Sequence, residues 1–241
     1  MATETFAGFR PAALSFLRRL RRHNERAWFE AHRAEYEREL RDPMRTLVEE
    51  MDVRLAGFAA EIGGHPRRSV YRIHRDTRFS ADKSPYKTNA ACQFFHRDAR
   101  QGAGQEAEGA GAGFYFQVAP GECFAAAGIW MPARPALDRL RDALAEDHEA
   151  FAAIVTAPPF RRLVGRLDEE AMLVRMPRGF APDHPAGRWL RYRSFTVTNA
   201  LTDDEALDPR LPRRLERIYR TLTPFVRWLN GALGLRAAER R

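Results

Sequence analysis

The chain has 241 residues, 44% of them hydrophobic, with two cysteines. That length buries a full core without help from disulfides, and two cysteines are too few for a disulfide framework. Forty Lys and Arg against 32 Asp and Glu give a formal charge of +8, which admits acidic partners; the arginines are spread along the chain, so only local clusters point to a site.

The opening residues hold no apolar stretch of signal-peptide length. The longest apolar run, Cys123–Met131, is too short to cross a bilayer. The expectation is a cytoplasmic protein with no membrane association. In chain order, Pro11–Arg22 reads as a first helix, with Ala13, Leu14, Leu17 and Leu20 at helical spacing. His23-Asn24 breaks it, and Asn24 is placed to cap a second helix carrying Trp28, Phe29 and Tyr36. Asp42-Pro43 signals a third, burying Met44, Leu47, Val48, Met51, Leu55 and Phe58 and ending at Gly63-Gly64.

The period then changes. Five strands are expected: one from Ser69 through Val70, Tyr71 and Ile73, then Asn89–His96, Phe114–Val118, Cys123–Met131 and Arg193–Leu201. Cys92 and Cys123 fall in these strands and read as buried thiols. Pro120-Gly121 is a hairpin signal. Strands joined by short turns argue for an antiparallel meander. Arg97–Gly113, rich in Gly, Ala, Gln and Glu, reads as a loop that buries little. Pro135–Thr156 reads as one helix stopped by Pro158-Pro159, and Leu211–Leu229 as a closing amphipathic helix that Pro224 kinks. The predicted fold is a single α+β domain over residues 1–241. Its five-stranded, mainly antiparallel sheet is packed by helices from the N- and C-terminal regions.

The chemistry concentrates in Ser69–Thr88, S-V-Y-R-I-H-R-D-T-R-F-S-A-D-K-S-P-Y-K-T. Arg72, Arg75, Arg78, Lys83 and Lys87 face only Asp76 and Asp82, and these are both lysines of the chain. An ammonium and a guanidinium do different work. Two lysines four apart in a chain otherwise basic through arginine point to a preformed anion site. Asp76 and Asp82 would orient the cations, while Ser80 and Tyr86 add hydroxyls. Pro85 would preorganise them. The alternative is a salt-bridged turn that only supports the sheet. Cations around Asp76 and Asp82 disfavour a divalent metal. No P-loop, dinucleotide fingerprint, nucleophile elbow or zinc-protease motif occurs, so no cofactor, metal or catalytic residue is assigned.

This segment resembles the hallmark of the domain of unknown function 2461 family. So do N-E-R-A-W-F at Asn24–Phe29, G-I-W-M-P at Gly128–Pro132, P-R-G-F at Pro177–Phe180, H-P at His184-Pro185 and P-F-V-R-W-L-N at Pro224–Asn230. The resemblance implies a single-domain α+β protein of a mostly bacterial family, with no established catalytic residues. It also implies a short connection where this chain carries Arg97–Gly113.

A second basic stretch, Pro177–Arg193, offers Arg178, His184, Arg188, Arg191 and Arg193 as further anion donors, provided that it folds across the sheet from Arg75 and Lys83. His74 and His184 are weighed as acid–base groups against ordinary structural histidines. Trp28, Phe29, Phe79 and Trp130 are weighed as stacking platforms, with Trp28 and Phe29 assigned to the core. The leading functional expectation is a pocket for an anionic small molecule bearing phosphate or carboxylate. The alternatives are a nucleic-acid-binding module with a basic face and a protein-interaction domain.

Overall fold

The computed structural model describes residues 5–78, 81–99, 111–170 and 172–237. Phe79, Ser80 and residues 100–110 of the expected loop lie outside them.

Helix α1 (Pro11–Arg22) buries Ala13, Leu14, Leu17 and Leu20 as their spacing requires. Helix α2 (Arg26–Ala31) follows, with Glu25 at its N-cap and no side-chain capping bond, so the expected Asn24 cap is absent. Instead the Asn24 amide reaches across to Tyr86, donating to its carbonyl at 2.9 Å and accepting from its N–H at 3.0 Å. Helix α3 (Arg33–Tyr36) runs through a π-turn at Glu37–Arg41 into α4 (Asp42–Ala56). Asp42-Pro43 is therefore inside a continuous helical run. The third helix buries the expected Met44, Leu47, Val48, Met51 and Leu55. It stops at Gly57 rather than Gly63, because Gly63 belongs to a short strand.

The sheet has five strands in chain order, each antiparallel to its neighbours: β1 (Ile62–Gly63), β2 (Ala90–His96), β3 (Gly113–Val118), β4 (Cys123–Ile129) and β5 (Phe195–Leu201). The meander and the α+β class are as the sequence predicts. The identity of the first strand is not. Ser69–Ile73 makes one isolated bridge to β2, Val70 opposite Cys92, flanked by Tyr71 N–H to the Ala91 carbonyl and Gln93 N–H to the Ser69 carbonyl. It touches the β2 edge and then leaves it, since the charged turn that follows must remain in water.

Positions alternating along the strands divide the two faces. Cys92, Phe94, Phe114, Phe116, Ala125, Ala127 and Val197 are buried. Phe114 stacks on Tyr219 at 4.4 Å, and the Tyr219 hydroxyl, fully buried, donates to the Tyr115 carbonyl at 2.9 Å. Tyr219 belongs to the long C-terminal helix Leu211–Ala232, which has Pro224 inside it and lies against β4 and α4. Both cysteines are free and buried, and burial raises their thiol pKa values.

Between β4 and β5, the expected single helix is two. Helix α5 (Arg134–Glu146) ends at Asp147, whose carboxylate accepts the Ala150 N–H at 3.0 Å and caps α6 (His148–Thr156). Pro158-Pro159 does not close a helix but opens one, α7 (Pro158–Val164), where an N-terminal Pro loses no bond. A one-turn α8 (Gly187–Leu190) leads to β5, and α9 (Asp203–Leu207) and the long helix, α10 (Leu211–Ala232), follow it. Among the described residues no helix is long and apolar enough to cross a membrane.

Candidate functional site

The face of the sheet away from α10 holds a cleft of about 1420 Å³. The strand register sets its floor: Gln93 faces Tyr115, Tyr115 faces Ala126, and Ala126 faces Thr198. Small residues in the middle make this a trough. Gly113 and Gly128 are paired across β3 and β4. A Cβ on Gly113 would fall 2.1 Å from the Phe94 carbonyl, and one on Gly128, at φ +121°, would fall 1.9 Å from that of Phe195. Both positions therefore require glycine for the strands to stay in register.

Phenols and amides line the floor near β2. The Tyr71 hydroxyl donates to Gln93 Oε1 at 2.6 Å. Gln117 Oε1 accepts from the Tyr115 hydroxyl at 3.0 Å and from Asn89 Nδ2 at 2.8 Å. Burial pushes the Tyr71 phenol up to about 12 and raises Tyr115 as well, so both remain protonated donors near neutral pH.

One wall comes from the Ser69–Thr88 segment. Here the structure sorts the five cations. Arg78 closes back on Asp76 through Nε at 3.0 Å and a second guanidinium nitrogen at 2.7 Å, while its own N–H bonds the same carboxylate. These contacts hold Asp76 down at about 2. Lys83 is exposed and donates to the Thr77 carbonyl at 2.9 Å. Neither Arg78 nor Lys83 lines the cleft.

Arg75 and Lys87 do line it. Arg75 pairs with Asp82, which is also bonded by the Ser84 hydroxyl and N–H. Arg75 Nε is nevertheless buried with no hydrogen-bond partner among the described residues. Lys87 is half-buried, with its ammonium 5.1 Å from the centre of the Tyr71 ring, and no carboxylate pairs with it among the described residues. Burial, and then the charges of Arg72 and Arg75, lower its pKa from the usual lysine value. Arg72 itself is exposed.

Tyr86 is 2% exposed and stacks on Phe29 at 4.2 Å. It is an anchor within the core rather than a lining residue, and Asn24 clamps its backbone from the other side. That clamp, with Lys87 N–H to the Ile73 carbonyl at 2.8 Å and Arg75 N–H to that of Pro85 at 2.9 Å, fixes the backbone carrying Arg75 and Lys87. His74 is exposed and leans on the Tyr86 and Phe29 rings.

The opposite wall is acidic. After α7 the chain runs beside β5, with Asp168 N–H donating to the Thr196 carbonyl at 2.9 Å and the Thr198 hydroxyl to the Asp168 carboxylate at 3.0 Å. Glu169 pairs with Arg166 at 3.4 Å, and Glu170 completes this wall. Trp130, 63% exposed, stands at the rim. The next residue, Met131, has φ +44°, which costs a non-glycine residue about 1–2 kcal/mol. Its N–H is held by the Ser194 hydroxyl at 2.9 Å.

The second basic stretch stays apart. Arg178 and Arg193 are exposed, and the His184 ring accepts the Ala186 N–H at 3.1 Å and meets Phe180 edge-on. None of the three lines the cleft. Ser80 lies outside the described residues. The residues that sequence reasoning did not assign to the site are Tyr71, Asn89, Gln93, Tyr115 and Asp168–Glu170. Polar and aromatic residues at alternate strand positions marked an open face. Nothing local showed that an acidic segment 50 residues away in the chain would wall it.

The fold and the cleft together define an α+β protein with an antiparallel sheet covered by helices on one face and hollowed on the other. The chain belongs to the family described as conserved hypothetical protein (DUF2461), whose model matches residues 12–228. No curated protein and no solved structure matches it.

Proposed function

We propose that the cleft binds an anionic small molecule carrying a phosphate or carboxylate. The observation that carries this reading is the pair of cations at one end of the trough. Among the described residues Lys87 has no carboxylate partner and a buried N–H of Arg75 has nothing to donate to. Leaving such a group unsatisfied costs about 1–3 kcal/mol. Arg75 and Lys87 both line the cleft, where an anion would meet them, and guanidinium with ammonium suits both a forked and a point contact. Arg72 adds field from the outside, and Asp82 orients Arg75. Asp76, Arg78 and Lys83 brace the turn, and Tyr86 anchors it. The phenol and amide floor and Trp130 would hold the body of the molecule. The acidic wall would repel a second anion and favour a ligand whose far end is neutral or cationic.

The test is thermal unfolding against inorganic phosphate, sulfate and sugar phosphates. Stabilisation that rises with the logarithm of ligand concentration is expected for the native chain. It is expected to vanish in the Arg75→Met, Lys87→Met double variant and to persist in Arg178→Ala. Equal shifts in native and double-variant protein overturn the reading.

A further inference from the structure

We infer that Lys87 is a covalent amine, forming a Schiff base with an aldehyde or ketone that carries an anionic group. This rests on the anion reading and adds a reaction to it. Three features converge on Lys87. It is half-buried in the wall of the cleft beside the Tyr71 ring. The cation Arg75 lines the same cleft, and no carboxylate among the described residues pairs with Lys87. Its backbone is fixed on two sides, by Asn24 on Tyr86 and by the Ile73 carbonyl on its own N–H. A half-buried lysine with no carboxylate partner gives up its proton more readily than an exposed one, which frees the amine to act as a nucleophile. The lowering of its pKa by burial agrees with this. Lys83 provides the contrast within the same turn, since it is exposed and spends its proton on a carbonyl.

In the reaction the Lys87 ammonium first gives up a proton to solvent, and the Nζ lone pair then attacks the carbonyl carbon. A C–N bond forms and the π pair of the carbonyl moves to oxygen, which takes up a proton as nitrogen releases one. The carbinolamine then expels its oxygen as water, leaving C=N, and hydrolysis returns both partners. No oxidant or reductant is consumed. Arg75 would hold the anionic group of the carbonyl compound and so position its carbon.

The native chain is incubated with glyoxylate at neutral pH, reduced with borohydride and mapped by peptide mass. The chain has only two lysines, so Lys83 is the internal reference. The expected result is a saturable adduct on Lys87, formed at least about tenfold faster than on Lys83, suppressed by inorganic phosphate and absent in Lys87→Arg. Arg75→Met is expected to remove the preference for glyoxylate over neutral propanal. Labelling of Lys87 no faster than Lys83, in protein that phosphate still stabilises, overturns the inference and leaves the binding reading standing. Absence of both adduct and stabilisation removes the two together.

Discussion

Two stretches of this chain are rich in positive charge, five cations in residues 72–87 and four in residues 178–193, and the fold treats them differently. Residues 72–87 are fastened at both ends. Tyr71 and Ser69 bond the β2 edge, Lys87 and Arg75 bond the returning chain, and Asn24 grips Tyr86. The second stretch, residues 178–193, spends its aromatic residues on the core, burying Trp189, Leu190 and Tyr192, and leaves Arg178, Arg188 and Arg193 in water. Density of charge is the same kind of signal in both. What separates them is whether the backbone is held so that a cation must lie over a concave surface. An arginine free to reach solvent gains little from any partner.

The contrast is broken most severely at Tyr86. Truncation to Ala leaves a cavity beside Phe29 and is expected to cost about 3–5 kcal/mol in urea unfolding, with loss of any phosphate response in the protein that remains folded. A cost under about 1 kcal/mol would mean that Tyr86 is not the anchor. Asn24→Ala comes next. It removes a donor and an acceptor from backbone groups that have no other partner shown, at about 1–3 kcal/mol. Affinity for phosphate is expected to fall with it although Asn24 is remote from the cleft; unchanged affinity would separate the clamp from the site.

Smaller effects sharpen the comparison. Asp76 is held at about 2 by the Arg78 side chain and then by its N–H, below the ~3.9 of an unfolded aspartate. Its folded pKa is depressed, so its stabilisation is present above about pH 4 and is lost as pH falls through 2. Because the pair is exposed the change is slight. Urea midpoints at several pH values between 5 and 2 are expected to fall a little less steeply in Asp76→Asn than in the native chain, and a steeper fall would contradict the pairing. The smallest effect belongs to the second stretch. Arg178→Ala and Arg193→Ala are each expected to alter stability by within about 0.5 kcal/mol and to leave calorimetric phosphate affinity alone. A loss of affinity in either would bring that stretch into the site.

Much of the fold was legible because its causes are local. The apolar spacing of Leu14, Leu17 and Leu20 specifies α1, and the alternation of Phe114, Tyr115, Phe116 and Gln117 specifies β3 and assigns its faces. Boundaries were less so. Pro158-Pro159 suits the start of a helix as well as it suits an end, and Asp147 interrupts a pattern whose apolar residues run on through it. Half of the site was legible too: the wall bearing Arg75 and Lys87 lies within one twenty-residue segment.

The sequence by itself determined α1, the α+β class, the antiparallel meander, the inward face of the sheet and the segment where unlike cations gather, since each depends on neighbours a few positions apart. Only the tertiary structure decided which of those cations remain available. Arg78 and Lys83 are taken up by groups that the turn brings to them, while Lys87 lies over Tyr71 on a backbone clamped at Tyr86 by an asparagine 62 residues before it. A side chain's charge is a property of its residue, but the partners that neutralise or spare it are set by distances that exist only once the chain has folded.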